Sequence, residues 1–169
     1  MDEMHRDKRW VRRRYGHAPI GTQPVRFLID NRGVRWNVFG ALSMRGFIAL
    51  HITTDHGTYA TYDDFVGQHL YPALRPFPHE HSILLADNAK IHDSPGASAL
   101  YRHKGAIVLR LAPYEPDYQP IEHAWDYVDR KLRQDVALSN QNLPAAIARA
   151  CRNVTPQIAA SFFKRSGYY

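Results

Sequence analysis

The stretch LLADNAKIHDS, residues 84–94, is an apolar run that ends in Asp87-Asn88 and is followed by His92. In its wider frame, HSILLAD (81–87), the run reads as a short strand buried on both faces. A strand that served packing alone would need turn residues at its end and no carboxylate. In an open α/β sheet the carboxyl ends of the strands border the crevice that receives ligands. This reading therefore places Asp87 at a site.

The neighbouring segments extend that reading in both directions. SPGASALYRHKG (94–105) predicts a short helix closed by Gly105, and AIVLRLAP (106–113) a strand stopped by Pro113. After the turn-rich YEPDYQP comes the strongest helix signal, IEHAWDYVDRKLRQD (121–135), with Ile121, Trp125, Val128 and Leu132 on one face and Pro120 suited to its first turn. Upstream, VRFLID (25–30) and VRWNVFGAL (34–42) flank the turn signal NRG and predict a hairpin, and FIALHITTD (47–55) predicts a further strand. TYDDFVGQHLYPAL (61–74) carries Phe65, Leu70 and Leu74 near helical spacing, with Thr61 as the expected cap. LPAAIARACRNV (143–154) predicts a later helix; no assignment is made for the tail from Pro156. Strands alternating with helices in this order predict an α/β fold with a mixed sheet flanked by helices.

The totals narrow the function. The 169 residues suit one domain, and 44% hydrophobic with 22% charged residues is a globular composition. The net charge of +6 favours an acidic partner, most simply nucleic acid. Cys151 is the single cysteine, which excludes an internal disulfide and a zinc ribbon and suits a reducing compartment. No apolar run reaches the roughly 18 residues of a membrane span, and the opening MDEMHRDKRW has no signal-peptide core. Arg6, Lys8, Arg9, Arg12, Arg13 and Arg14 crowd into nine residues with Trp10 and Tyr15 between them. In this stretch Arg9, Arg12, Arg13 and Arg14 are expected to meet DNA phosphates and Trp10 to stack on a base. The same run matches a nuclear localisation signal, which gives a nuclear protein in a eukaryotic host and a cytoplasmic one otherwise. The histidines of HEH (79–81) lack partners at metal-ligand spacing and read as surface residues.

Asp87 ends one strand, and Glu122 opens a helix reached after the next strand, with 34 residues between them. Both are expected at one end of the sheet. Two ionised carboxylates repel, and a divalent cation relieves the repulsion. Hard oxygen donors select Mg²⁺ or Mn²⁺ over zinc. With a nucleic-acid partner, the chemistry that follows is metal-assisted phosphoryl transfer. On this reading, neutralising Asp87 is expected to relieve repulsion in the metal-free protein.

LLADNAKIH (84–92) followed by LRLAPYEPDYQPIEHAW (109–125) resembles the two closing motifs of the DDE transposases of the mariner and insertion-sequence superfamily. That family has a strand ending in Asp-Asn with a His four residues on, then a Leu-Pro-Pro-Tyr-Ser-Pro-like loop and Asn-Pro-Ile-Glu before an aromatic. WNVFGALSMRGFIAL and TYDDFVGQHLYPAL resemble its strand pair and the helix before the second Asp; DEMHRDKRWVRRRYGHAPIG resembles the segment at the first Asp, so the resemblance runs from residue 2 to about 134. It implies a ribonuclease H-like fold and a transposase or endonuclease that cuts and joins DNA. It implies that Asp2, Asp87 and Glu122 are catalytic and hold two Mg²⁺ (or Mn²⁺) ions, with Asn88, His92 and Gln119 supporting them. Glu3, the second residue of the family's Asp-Glu pair, is not read as a ligand, and Asp30 at the end of VRFLID is the alternative first carboxylate. The implied catalytic domain spans 1–138, with 139–169 as a helical extension.

The sequence departs from the family at Gln119 for Asn, expected to cap the helix less well, at Ala112 for Pro, and at Glu115-Pro116 for Ser-Pro. Only Met1 precedes Asp2, so the first central strand reads as missing and Asp2 as a frayed end. That leads to an expectation of weak or no activity and of self-association through exposed strand edges. The alternatives to an enzyme are a remnant that binds nucleic acid without catalysis and a protein that uses the fold for protein contacts alone.

Overall fold

The computed structural model describes residues 1–7, 17–23, 33–113 and 115–168. Three strands, β1 (Asp2–Arg6), β2 (Trp36–Ser43) and β3 (Gly46–Thr53), form an antiparallel sheet in the order β1-β2-β3. β4 (Ile83–Ala86) and β5 (Ile107–Arg110) form a parallel pair. The Met1 nitrogen donates to the Leu85 carbonyl at 2.7 Å, which joins the start of β1 to β4.

Side chains alternate across β1–β3 with period two, and each face meets its own helices. Phe39, Ala41 and Ala49 pack on one face against Tyr62, Phe65 and Leu70. Those residues come from α1 (Tyr59–Asp64) and the π-helix that continues it, Phe65–Leu70; α2 (Pro95–Lys104) adds Ala97 and Tyr101. On the other face Met4 and Val38 pack against Ile121, Trp125, Val128 and Leu132 of α3 (Pro120–Gln134). α4 (Val136–Gln141) leads to α5 (Leu143–Arg152), whose Leu143, Ala146 and Ile147 join the same cluster. α6 (Pro156–Arg165) sets Ala159 and Phe162 against Ala124 of α3. The chain is thus an α/β layer structure, and residues beyond 138 share a core with α3. Among the described residues, no helix is long and apolar enough to cross a membrane.

Several expectations change. Asp2 to Arg6 do not fray: they pair with β2 from Asp2↔Gly40 to Arg6↔Trp36. This removes the fraying of Asp2 as a ground for expecting weak activity. HSILLAD is buried on one face only. Leu84 and Ala86 are buried, while Ile83, Ile107 and Leu109 line up on a face that stays 40–49% exposed. Thr58 caps α1, its side chain accepting from the Thr61 N–H, and Thr61 lies inside the first turn. The five-residue gap from Phe65 to Leu70 is explained by the π-helix, whose i→i+5 bonding brings residues five apart onto one side. The first arm of the NRG hairpin, with Asp30, and the residues Lys8, Arg9, Trp10, Arg12, Arg13, Arg14 and Tyr15 lie outside the described residues. Arg6 leaves that basic group: it lies in β1 and forms a two-pronged bond with Asp129 of α3, Nε to Oδ1 at 2.6 Å and Nη2 to Oδ2 at 2.8 Å.

Gly40 sets the approach of α3 to the sheet. A Cβ there would lie 2.6 Å from Cη2 of Trp125, 2.9 Å from its Cζ2 and 3.0 Å from Cε1 of Phe47. Gly40→Ala should therefore lower stability by about 1–3 kcal/mol, the usual cost of overpacking. Chemical denaturation read by tryptophan fluorescence checks this, and an unchanged midpoint would show that the indole moves freely.

Candidate active site

The site forms where β1, β4 and α3 meet, and each element delivers its carboxylate for a local reason. Asp2 opens β1 opposite Gly40, on the face covered by α3. The missing side chain at Gly40 lets the Trp125 indole lie close to the sheet, and its Nε1–H donates to Asp2 Oδ2 at 3.1 Å. Asp2 is 9% exposed. Burial, then the charges of Glu122 and Glu3, push its carboxyl up to about 7.

Asp87 follows the last residue of β4, and its Oδ1 accepts the Ala89 N–H at 3.0 Å in a tight turn. His92 sits in the short 3-10 turn Lys90–Asp93, buried between two carboxylates. Its Nδ1 lies 2.8 Å from Asp87 Oδ1 and its Nε2 3.1 Å from Glu3 Oε2. The Nδ1–H is not aimed at the Asp87 oxygen, so the contact with Asp87 is a close charge pair more than an aligned hydrogen bond. Burial alone would lower the His92 pKa; the contacts with Asp87 and Glu3 outweigh it and carry it up to about 9. The same contact is the main reason the Asp87 carboxyl is held below its usual range. Asp87 is thus stabilised by an imidazolium in the metal-free protein. The expected repulsion between Asp87 and Glu122 is present, but neutralising Asp87 would also give up the pairing with His92, which the sequence reading did not include.

Glu122 lies in the first turn of α3, behind Gln119-Pro120. Burial, then Asp126 and Asp87, raise its carboxyl, and Arg6 opposes the rise. Asp87, Asn88, Glu115, Gln119 and Glu122 line one cleft. The Gln119 side chain makes no cap to α3; it is buried and donates from Nε2 to the Met1 carbonyl at 3.3 Å. Asn88 donates from Nδ2 to the Leu111 carbonyl at 2.9 Å, tying the loop after β4 to the loop after β5.

The structure brings Glu122 within electrostatic reach of both Asp2 and Asp87 at one end of the sheet. It does not gather them to ligand spacing. Among the described residues, the trio of ligand-type side chains whose donor atoms lie within 4.8 Å of one another is a different one. The donors nevertheless suit a cation. All are hard oxygens, and the negative charges that, after burial, raise the Asp2 and Glu122 carboxyls are of the kind a divalent ion would offset.

Two residues escaped the sequence reading. Arg110, at the end of β5 opposite Ala86, donates to the Asp87 carbonyl (2.7 Å), the His92 carbonyl (2.6 Å) and Asp93 Oδ1 (2.6 Å). It clamps the whole turn that carries Asp87 and His92. The parallel pairing of the two predicted strands was its only signal. Trp125 reads as core from its helical spacing; the hydrogen bond from its N–H to Asp2 has no signature in sequence.

A family model described as DDE superfamily endonuclease matches residues 1–143. The Tcb1 and Tcb2 transposable-element transposases of Caenorhabditis briggsae are 27% and 25% identical over 135 and 136 residues, 79% of this chain in each case. The chain spans about half of each of these relatives, 48%. Among solved structures, the Mos1 mariner paired-end complex with Mn aligns with 98% of this chain and 52% of its own, at a TM-score of 0.70 and 19% identity. The Mos1 strand transfer complex aligns at 0.60 and 19%, covering 99% and 53%. At these identities the two structures establish a shared fold.

Proposed function

The chain belongs to the DDE superfamily endonucleases, and on that premise we propose that it is the catalytic domain of a DNA transposase that cleaves and joins phosphodiesters with two Mg²⁺ or Mn²⁺ ions. What carries the reading is that Glu122 lies within electrostatic reach of both Asp2 and Asp87 at one sheet end, with the Asp2 and Glu122 carboxyls raised by burial and then by neighbouring negative charge. The strand order is consistent with a ribonuclease H-like sheet, since Met1 bonded to Leu85 sets β1 beside β4. The relatives are transposases by name, and the matched structures are transposase complexes; DNA as the partner here is taken from them and from the basic stretch at Arg9–Arg14.

Asp2, Asp87 and Glu122 would hold the ions. Bound there, divalent ions supply Lewis acidity at the scissile phosphate and activate the attacking oxygen. The protein's own groups do the positioning. Trp125 fixes one oxygen of Asp2. His92 keeps Asp87 ionised and oriented, and is itself held by Glu3. Arg110 pins the turn that carries both. The N-terminal end of α3 favours an ionised Glu122 by roughly 0.3–1 kcal/mol.

The test is cation binding. A cation at ten times its dissociation constant stabilises by about 1.4 kcal/mol, or roughly 3–6 °C for a chain of this size. Mg²⁺ or Mn²⁺ should produce that shift, and Asp87→Asn should lose most of it; an undiminished response in the variant rules out the shared site. Asp2 must shed its proton to act as a ligand. With its carboxyl raised to about 7, affinity should climb as pH rises from 6 and level off above 7, by up to about tenfold per pH unit below the midpoint. Isothermal titration at pH 6, 7 and 8 checks this. A flat profile would mean that Asp2 is not a ligand.

DNA binding has its own test. Neutralising Arg12, Arg13 and Arg14 together should weaken binding evenly across sequences. It should also flatten the salt dependence, by about 0.9 in log–log slope for each phosphate no longer neutralised. Weakening confined to one sequence would indicate base reading instead.

A further inference from the structure

We propose that His51, Asp64 and His69 form a second cation site, selective for zinc-class ions and separate from the carboxylate cleft. One donor atom from each of the three lies within 4.8 Å of the others. The ligands come from β3 and from the continuous α1–π-helix segment packed against it. His51 lies in β3, Asp64 ends α1, and His69 lies in the π-helix that follows.

The π-helix is what unites Asp64 with His69. They are five residues apart. At 100° per residue, α-helical winding would separate them by about 140° around the axis; i→i+5 bonding turns both toward β3. The imidazoles are also held from behind. His51 stacks on Phe39 at 6.3 Å between centroids, and His69 on Phe65 at 6.5 Å. Phe39 and Phe65, both buried, stack on each other at 5.7 Å. These two core rings place the imidazoles 4.7 Å apart. A pair of imidazoles set by core packing is a preorganised ligand pair.

The donor set identifies the ion. Two imidazole nitrogens and one carboxylate suit Zn²⁺, with Ni²⁺ and Cu²⁺ as competitors, and are poor for Mg²⁺, which demands oxygen. Bonds of 2.0–2.1 Å in a tetrahedron need donors about 3.4 Å apart, so the ligands would close in by at most about 1.4 Å. Asp64 and His69 are exposed and free of packing on their solvent side, which allows that adjustment and leaves the fourth position to water. A bound ion would staple the α1–π-helix segment to the sheet edge.

The experiment uses the full chain and the metal alone. Zn²⁺ at micromolar concentration should raise the melting temperature, and Co²⁺ should give the visible absorption bands of a four-coordinate site. His69→Ala and Asp64→Asn should each weaken the affinity about tenfold or more, at the scale seen when a metal site loses a supporting group. Both residues are exposed, so each variant should keep its metal-free melting temperature; if His69→Ala does not, Asp64→Asn decides. Asp87→Asn should leave the Zn²⁺ response intact. The proposal is overturned if the native chain shows no Zn²⁺ response, if both Asp64→Asn and His69→Ala retain it, or if Asp87→Asn abolishes it, which would place the ion in the carboxylate cleft.

Discussion

Glu122→Gln should reduce metal-dependent nicking of duplex DNA a thousandfold or more, to background in an ordinary assay. A thousandfold corresponds to about 4 kcal/mol of transition-state stabilisation. The loss is that large because the carboxylate has no substitute. Asp2 is held by Trp125 and Asp87 by His92, so neither can move across to cover a missing third ligand. The amide fits the same space and Glu122, though partly covered, keeps much of its surface in solvent, so packing is little at stake. Its stability effects oppose each other. The loss of a charge at the start of α3 costs roughly 0.3–1 kcal/mol, and relief of the repulsion with Asp87 and Asp2 offsets it. The metal-free melting temperature should barely move, which separates catalytic loss from unfolding. Plasmid relaxation with Mg²⁺ or Mn²⁺ is the measurement. Activity above a tenth of the native level would assign the third carboxylate elsewhere, with Glu115 of the same cleft first in line. DNA binding without nicking by the native chain would favour the binding-protein reading.

Asp129→Ala should be the most destabilising single change on the α3 face, by about 3–5 kcal/mol. The Arg6 and Asp129 side chains are 11% and 7% exposed and share two short hydrogen bonds. Removing the carboxylate leaves a buried guanidinium without its main partner, which costs far more than an exposed pair would. The double change Arg6→Met with Asp129→Leu should recover most of the loss, because burying neither charge avoids both desolvation costs. Urea denaturation of the four proteins gives the comparison. A double variant as unstable as Asp129→Ala would show that the pair does more than neutralise itself, for instance by fixing how β1 lies against α3.

What the sequence disclosed, and what it hid, divides along physical lines. α3 was legible because Ile121, Trp125, Val128 and Leu132 repeat at helical spacing, and all four are buried. α2 was legible because Gly105, with φ of 73°, supplies the left-handed cap that ends it. Asp87 and Glu122 stood out through their positions at element ends. β1 was hidden: DEMHR has little of a strand's composition, and its pairing comes from Gly40 to Trp36, thirty or more residues along the chain. The one-sided burial of β4 was hidden because apolar content does not say how many faces are covered. Arg110 and the Trp125 N–H were hidden because their partners, the Asp87 turn and Asp2, are fixed only by tertiary contact.

Asp2 and Glu3 are adjacent in one strand, and the pleat sends one carboxylate to each side of the sheet. Asp2 goes to Trp125 and Glu3 to His92. A deletion or insertion that shifted β1 by one residue would exchange the two faces. In one direction Glu3 would take the place under the indole and Met4 would strip His92 of its second anion; in the other Glu3 would take Met4's place among the apolar side chains of α3. The Asp-Glu dipeptide therefore acts as a reading-frame lock on β1, checked from both sides at once. Single-residue indels between Met1 and Arg6 should be tolerated far less well than conservative substitutions at the same positions.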